Sequence, residues 1–255
     1  KTETDSYILK ICRPDEVVSY IEFQQELLNH VANSKDEIDA PKTFPDRDGN
    51  FISEITDAAG NVRKVRLLSW MDGRLWSSVN PIQDNLLFSL GEETGKLTNA
   101  LQGFDHPEAH REFVWDVAQA EWTYEHVHLF PEEQQKIAKH FQDQYKDFQD
   151  EYQQLRKGVV HSDANDNNVI VTNDLINPQV KAIIDYGDAV YTPIINDLAI
   201  ATAYAIMHKP DALAAALPIV KGYNSQFPLQ DKELNYLYNL IAMRLIISVS
   251  KSAIN

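Results

Sequence analysis

The chain has 255 residues and a formal net charge of −15, with 38 acidic side chains against 23 lysines and arginines. This length is enough for one large domain or for two lobes that share a cleft. Hydrophobic residues make up 44% of the chain, which argues against a disordered protein. The negative charge disfavours nucleic acids and anionic membranes as partners, and it favours cations and amines.

Because the chain is acidic, any phosphate group that it binds needs a local cation or backbone amides. The single cysteine, Cys12, cannot form an internal disulfide. No run of about 18 apolar residues appears, and no basic and apolar segment opens the chain. We therefore expect no membrane span, no signal peptide and a cytoplasmic location.

Residues 1–72 are predicted to form a small lobe rich in β-structure. The segment SYILKIC, residues 6–12, is β-branched and aromatic apart from one lysine, and it predicts a strand. Apolar side chains recur at helical spacing over residues 15–33, which predicts a helix opened by Pro14 and Asp15. FISEIT and VRKVRLLSW flank the turn DAAGN and predict a hairpin.

Residues 73–255 are predicted to form a larger, mainly helical lobe that follows a hinge near Trp70–Gly73. Helices are predicted over residues 82–103, 107–125, 131–156, 194–208, 211–225 and 231–253. Three short strands, VVH, NVIV and VKAIID, lie in the middle of this lobe. The predicted fold class is therefore α+β, with a β-rich N-terminal lobe and a helical C-terminal lobe.

The segment VVHSDANDNNVIV, residues 159–171, places five Asp and Asn residues between two of these strands. His161, Asp163 and Asn168 have the spacing His-x-Asp-x-x-x-x-Asn, and Asp185 follows in IIDYGD. Phosphoryl transfer from ATP needs a carboxylate that accepts the proton of the attacking hydroxyl, and oxygen ligands for Mg²⁺. An Asn-rich turn beside a strand end would explain either motif alone. The two motifs together, in this order, predict a kinase catalytic loop followed by a metal-binding Asp-x-Gly motif.

A lysine within the first strand supports this interpretation. Lys10 lies in YILKI, where strand alternation alone does not explain a charge. In a kinase, such a lysine pairs with the nucleotide phosphates and with a glutamate on the next helix. Glu22 is the expected partner, with Glu26 as its substitute. The alternative is a solvated lysine on an edge strand together with a surface glutamate.

These motifs resemble those of the aminoglycoside phosphotransferase/choline kinase-like family of small-molecule kinases. HSDANDNNVIV is similar to the family's H-G-D-x-x-x-x-N loop, and IIDYGDA is similar to its I-D-[FYW]-x-[DE] motif. LKI before the first helix and RLLSWMDG as the hinge also fit, so the resemblance covers nearly the whole chain. LGEETGKLTNALQGFDHPEAHREFVWD looks most like the hydroxylysine kinase branch, which includes kinase domains fused to class III aminotransferases.

The resemblance implies a two-lobed, protein-kinase-like fold and a role for each motif residue. Asp163 would be the catalytic base, and Asn168 and Asp185 would be the Mg²⁺ ligands. Lys10 and Glu22 would anchor the phosphates of ATP or GTP. The implied partner is a small hydroxyl acceptor.

The hinge would hold the adenine or guanine edge through the backbone of Ser69 and Met71, with Leu68 behind the base. The acidic composition suits an acceptor that carries an amine, such as hydroxylysine, another amino alcohol or an aminoglycoside. Asp188 directly follows the metal motif and Asp166 lies in the catalytic loop, so both are candidates for contact with the acceptor.

Two further residues are expected to support the catalytic loop. Asp197, in PIINDLAIA, has apolar neighbours and is expected to cap a helix or to hold the loop through backbone N–H groups. His161 is expected to hold the loop rather than to transfer protons.

Three departures from the family pattern bear on activity. The family's glycine after the loop histidine is Ser162, and the hydrophobic residue after the catalytic aspartate is the small Ala164. The phosphate-covering hairpin that normally precedes the lysine strand lies outside this sequence. If that hairpin is absent, a non-catalytic pseudokinase becomes a rival interpretation. A homoserine-type or methylthioribose-type kinase is the rival among enzymes.

Overall fold

A computed structural model describes residues 5–35 and 38–254 of the chain. The strands in these ranges are β1 Tyr7–Ile11, β2 Thr43–Phe44, β3 Ser53–Thr56, β4 Val62–Ser69, β5 Arg74–Leu75, β6 Lys157–Val160, β7 Val169–Val171, β8 Val180–Ile183 and β9 Val190–Pro193. The α-helices are α1 Val18–Ala32, α2 Asp84–Ala100, α3 Glu132–Tyr152, α4 Ile195–Ala205, α5 Ala212–Gln226 and α6 Asp231–Ile254. These elements confirm the predicted α+β class.

The N-terminal sheet is built around β4, which pairs antiparallel with β1, β2 and β3. The predicted first strand and the predicted hairpin are both confirmed. Helix α1 begins at Val18, later than predicted, because the backbone at Val17 is still extended (φ −73°, ψ 132°). In the β1–β4 register, Lys10 lies opposite Arg66.

Two small antiparallel sheets lie in the C-terminal part and position the acidic motifs. Strand β7 lies between β5 and β8, and β6 pairs with β9. The loop 161–168 therefore leaves one sheet at Val160 and enters the other at Val169. Asp185 follows the end of β8 and opens a 3₁₀ turn, Tyr186–Asp188. Both acidic motifs thus follow strand ends, as the sequence predicts.

The predicted α-helix over residues 107–125 is wrong. This region forms a 3₁₀ turn, Pro107–Ala109, and a longer 3₁₀ segment, Val117–Leu129. The buried carboxylate of Asp116 accepts a hydrogen bond from the Ala118 N–H and another from the Thr192 hydroxyl. Gln119 has a non-helical φ of −117°. Side-chain hydrogen bonds at such a position compete with the regular helix ladder.

The helical core depends on close approach between α2 and α5. A Cβ atom at Gly91 would overlap the carbonyl oxygen of Ile219, and one at Gly222 would overlap that of Phe88. Glycine at both contacts lets the two helix backbones touch. Among the helices of the described ranges, α6 alone is long and apolar enough to cross a membrane by length and composition. Half of its most apolar window is buried against the rest of the chain.

The predicted boundary between the lobes, residues 1–72 against 73–255, stays a prediction. It falls between β4, the centre of the N-terminal sheet, and β5, which pairs with β7.

Candidate active site

A cavity of about 380 Å³ lies between β1 and β4 on one side and the ends of β7 and β8 on the other. Six of the predicted site residues line it: Lys10, Leu68, Ser69, Met71, Asn168 and Asp185. Elements far apart in sequence therefore bring most of the predicted site into one cleft.

Asp163 lies in the loop between β6 and β7, with its side chain 19% exposed. Its Oδ1 is 3.2 Å from Nη2 of Arg244, and its Oδ2 accepts hydrogen bonds from Nδ2 of Asn165 (2.9 Å) and Nδ2 of Asn168 (2.6 Å). Burial raises the pKa of Asp163 to about 6, against the Asn165 hydrogen bond and the Arg244 charge, which lower it. The carboxylate is fixed in orientation and suited to accept a proton near neutral pH.

Asp197 and His161 hold this loop, as predicted. The buried carboxylate of Asp197 accepts from the backbone N–H of Ser162 (2.9 Å) and of His161 (3.4 Å). Nδ1 of His161 accepts from the Asp163 N–H, so its Nε2 carries the proton and donates to the Ile184 carbonyl (3.1 Å). Burial lowers the pKa of His161 to about 4, so the ring is neutral and fixed in one tautomer.

Ser162 stands where the family has glycine, and its backbone shows why glycine suits the position. Its φ is 64°, in the left-handed region that a side chain with a Cβ disfavours. Its buried Oγ has no hydrogen-bond partner among the described residues. The loop therefore adopts a left-handed conformation at Ser162 at the cost of local strain.

Lys10 and Asp185 form an ion pair across the cleft, with Nζ and Oδ1 2.7 Å apart. Burial raises the pKa of Asp185, but the hydrogen bond and charge of Lys10, with smaller contributions from His161 and the Gly187 N–H, together hold it below its usual value. The contact joins β1 to the turn that follows β8. The predicted phosphate-anchoring lysine and the predicted metal ligand are thus direct neighbours.

The expected pair between Lys10 and Glu22 is not formed, which corrects the prediction. Glu22 and its substitute Glu26 both lie on the exposed face of α1. Their four-residue spacing places them on one side of the helix, opposite the buried apolar positions. The residues of α1 that line the cavity are Gln24 and Leu28.

The three predicted hinge residues line the cavity. Leu68 is 4% exposed and lines the cavity with Ser69 and Met71. The Ser69 N–H donates to the Lys42 carbonyl (2.9 Å), and its hydroxyl oxygen accepts from the Lys42 N–H (2.9 Å). These bonds fix the end of β4. Backbone contacts from Ser69 and Met71 to a base stay predictions.

The two acceptor-side candidates lie outside the cavity lining. Asp188 is half-buried, and burial raises its pKa, against Arg244 and Arg111, which lower it. No hydrogen bond to the Asp188 carboxylate is found within the described ranges. Asp166 is fixed through its backbone, because its carbonyl accepts from the Ser77 N–H (2.9 Å). Contact of either residue with an acceptor stays a prediction.

Arg244 is a site residue that the sequence analysis missed. It lies on α6 and is 2% exposed, and besides Asp163 it donates to the Trp115 carbonyl (2.8 Å). Its guanidinium lies 5.2 Å from the ring centre of Trp115 and 5.5 Å from that of Tyr204. The sequence did contain a signal for this residue, because Arg244 is the one charged residue in the apolar run LIAMRLIISV. Such a position predicts burial, and a buried cation needs a partner.

The donor set fits the predicted Mg²⁺. Asp185 offers carboxylate oxygens, and Asn168 uses its Nδ2 toward Asp163, which leaves its amide oxygen as a ligand. Mg²⁺ prefers hard oxygen donors and usually takes one or two from protein and the rest from phosphates and water. Accordingly, no cluster of three or more His, Cys, Asp or Glu that could hold a metal alone is found in the described part of the chain.

The chain is similar to hydroxylysine kinases from several animals. It is 26% identical to that of Danio rerio over 255 residues, covering 95% of the chain and 71% of that protein. It is 28% identical to that of Xenopus laevis over 223 residues, covering 81% of the chain and 59% of that protein. The enzyme of Bos taurus is 25% identical, with 80% of the chain and 58% of that protein covered. The chain therefore spans less than three quarters of the length of these relatives.

Solved structures share the fold. A microcompartment-associated aminopropanol kinase superposes with a TM-score of 0.76 at 20% identity, covering 97% of the chain and 78% of that structure. Amicoumacin kinase, in complex with AMP-PNP, Ca²⁺ and Ami, has a TM-score of 0.71 at 20% identity, with 98% and 75% covered. The AMP-bound spectinomycin phosphotransferase has a TM-score of 0.63 at 15% identity, with 100% and 81% covered. The predicted protein-kinase-like fold is confirmed.

A family model matches residues 1–226 and is described as the phosphotransferase enzyme family, APH. With the hydroxylysine kinase relatives, this match confirms the resemblance found in the catalytic loop and in the Asp-x-Gly motif. The chain belongs to the phosphotransferase enzyme family.

Proposed function

We propose that the chain is a small-molecule kinase that transfers the γ-phosphoryl group of ATP or GTP to a hydroxyl of an amine-bearing acceptor. The observation that carries the proposal is the setting of Asp163. Its carboxylate is fixed by Arg244 and Asn168, and Asn168 also lines the cavity that Lys10 and Asp185 border. Such a carboxylate is suited to orient a hydroxyl beside a bound triphosphate.

In this mechanism the nucleotide occupies the cavity, with its base against the apolar side near Leu68 and the hinge, and its phosphates near Lys10. Asn168 and Asp185 would hold Mg²⁺, which when bound neutralises charge on the phosphates. The acidic composition makes such local cations necessary, because the chain as a whole repels a triphosphate.

Transfer then follows from the position of Asp163. The acceptor hydroxyl donates its proton to an Asp163 oxygen while its own oxygen forms a bond to the γ-phosphorus. The bond between that phosphorus and the bridging oxygen of the β-phosphate breaks, and the nucleoside diphosphate leaves. Lys10 stabilises the negative charge on the diphosphate. A pKa near 6 lets Asp163 accept the proton and release it afterwards.

The amine-bearing acceptor is supported by three observations. The chain carries a net charge of −15. Asp188 lies close enough to Asp163 to influence its titration, and no hydrogen bond to its carboxylate is found in the described part. Relatives are named hydroxylysine kinase, and a structural neighbour is named aminopropanol kinase. Hydroxylysine and aminopropanol each combine a hydroxyl with an ammonium, which a carboxylate attracts.

The test is a nucleotide-consumption screen with Mg²⁺ and either ATP or GTP across hydroxylysine, other amino alcohols, aminoglycosides, homoserine, methylthioribose and amine-free sugars. We expect the highest kcat/KM for an acceptor with an ammonium near its hydroxyl, and loss of turnover on addition of EDTA. Asp188→Asn should raise KM for the amine acceptor and leave the KM for the nucleotide unchanged.

Other outcomes of the screen discriminate among the rivals. Preference for homoserine or methylthioribose would replace the proposed acceptor by one of these. Amine-free sugars that outperform every amino alcohol would contradict the inference from charge. Mg²⁺-dependent nucleotide binding without turnover on any acceptor would favour a pseudokinase. Fusion to or pairing with an aminotransferase, and a cytoplasmic location, stay predictions.

A further inference from the structure

Arg66 is a buried cation whose hydrogen-bonding capacity is mostly unused. Its side chain is 6% exposed, and its Nη2 donates to the amide oxygen of Gln24. Its Nε and Nη1 have no hydrogen-bond partner among the described residues. Burial lowers the pKa of Arg66, yet an arginine stays protonated in proteins, so a full positive charge remains.

Two other arginines, the buried Arg244 and the partly exposed Arg156, are each paired with a carboxylate. Arg244 bonds the carboxylate of Asp163, and Arg156 binds Glu233 through Nε (2.8 Å) and Nη2 (2.7 Å). Arg66 has a neutral amide in place of a carboxylate. Asp185 and Glu16 act on Arg66 only through their charge, without a hydrogen bond to it among the described residues. Because a buried charge without a hydrogen-bonded counter-ion is destabilising, the arrangement at Arg66 favours an anion that enters the cavity.

The position of Arg66 says where that anion would bind. Arg66 lies directly opposite Lys10 in the β1–β4 register, so both side chains leave the same face of the sheet. Opposite Cβ atoms in such a pair are roughly 5 Å apart. Both residues line the same cavity, together with Asp185. Lys10 forms an ion pair with Asp185, whereas no salt bridge to Arg66 is found in the part of the chain that the structure describes.

We propose that Arg66 is a second phosphate-binding residue of the nucleotide site, which acts beside Lys10 on the triphosphate. The planar guanidinium offers parallel N–H donors that match two phosphate oxygens, and it binds them more specifically than a point charge does. This inference rests on the proposed function. The proposed role adds a residue that the family motifs do not contain. It also provides a local cation through which an acidic chain can bind a polyphosphate.

The experiment measures nucleotide affinity by titration calorimetry with Mg²⁺ on the whole chain. It compares the wild type, Arg66→Met, Arg66→Lys and the matched control Arg63→Met. Arg63 lies on the same strand but pairs with Asp57 outside the cavity. Each protein is titrated with the preferred triphosphate, its diphosphate and its nucleoside. Thermal melting of each protein is recorded without and with the triphosphate.

We expect Arg66→Met to weaken binding of the triphosphate by roughly tenfold to a hundredfold and to leave the affinity for the nucleoside unchanged. The triphosphate affinity of Arg66→Lys should lie between those of the wild type and Arg66→Met, because lysine keeps the charge and loses the paired donors. Arg63→Met should bind like the wild type. Without ligand, Arg66→Met should melt no lower than the wild type, since the lost guanidinium is uncompensated.

Two results would overturn the proposed role of Arg66 without contradicting the proposed function. In one, the wild type binds the triphosphate and Arg66→Met binds it equally well. In the other, Arg66→Met weakens binding of the triphosphate and of the nucleoside by the same factor, which indicates a structural role. A wild type that binds neither ATP nor GTP would instead contradict the proposed function. If Arg66→Met fails to fold, the ratio of triphosphate to nucleoside affinity in Arg66→Lys decides the question.

Discussion

On the catalytic-loop side of the cleft, each carboxylate oxygen of Asp163 already has a partner, Arg244 for Oδ1 and two asparagines for Oδ2. On the sheet side, two nitrogens of Arg66 have no hydrogen-bond partner in the described ranges, and Lys10 makes its ion pair across the cleft with Asp185. The acid is held by groups already in place, whereas Arg66 on the sheet side keeps hydrogen-bond donors free for a ligand.

This difference assigns two tasks to the two sides. A group whose hydrogen bonds are formed in advance needs no reorganisation when the reaction occurs, which favours the chemical step. A group with unused donors gains interactions only when a ligand arrives, which favours affinity. Changes on the loop side should therefore act mainly on kcat, and changes on the sheet side mainly on nucleotide binding.

Replacement of the base should have the largest effect. In Asp163→Asn the side chain keeps its size but cannot accept the acceptor's proton. We expect kcat to fall by roughly a thousandfold, within the usual range for loss of a general base. Nucleotide affinity, measured by calorimetry, should be unchanged. The matched control is Asp174→Asn, which removes the same charge from the β7–β8 connection. A kcat within tenfold of the wild type would contradict the assigned role.

Loss of Arg244 should have an intermediate effect, because Arg244 acts through Asp163. In Arg244→Met the carboxylate loses one of its anchors, and we expect kcat to fall by roughly tenfold to a hundredfold. The positive charge of Arg244 lowers the pKa of Asp163, which burial has raised to about 6. Its removal should raise that pKa further. Since the base must be ionised, activity should then be lost at a higher pH as the solution is acidified.

The pH profile of kcat separates positioning from a merely structural role. Arg244→Lys keeps a positive charge near Asp163, so the acidic limb of its pH profile should lie close to that of the wild type. Its kcat should be higher than that of Arg244→Met. A lower kcat in Arg244→Met with an unmoved acidic limb would contradict the electrostatic part of this role. Melting curves of both variants show whether the fold is retained.

The parts of the site that could be predicted from sequence are those fixed by short-range spacing. His161, Asp163 and Asn168 lie within one loop, and their chemistry was sufficient to identify a kinase motif. The role of Asp197 followed from a polar residue among apolar neighbours. Most of the helices and the first hairpin were likewise predicted, because hydrophobic periodicity is a local property.

The remaining features depend on how distant elements meet. Arg244 reaches Asp163 from 81 residues away, on a helix whose orientation the sequence does not encode locally. Glu22 was chosen for its type and distance from Lys10, although the apolar pattern of α1 puts it on the solvent face. The α-helix predicted over residues 107–125 was replaced by 3₁₀ turns because the buried Asp116 binds local backbone there. Long-range packing and buried hydrogen bonds decided these cases.

The smallest expected effect concerns the strain stored on the loop side, at Ser162. In Ser162→Gly the left-handed backbone no longer clashes with a Cβ, and a buried hydroxyl without a partner is removed. Glycine also increases the entropy of the unfolded chain, which offsets part of the gain. We expect a net rise of about 1 kcal/mol in the free energy of unfolding, measured in denaturant, with kcat unchanged. Ser162→Ala removes the hydroxyl but keeps the Cβ, so it separates the two contributions. If Ser162→Gly is no more stable than Ser162→Ala, the strained backbone does not cost stability and the loop is held by Asp197 without strain.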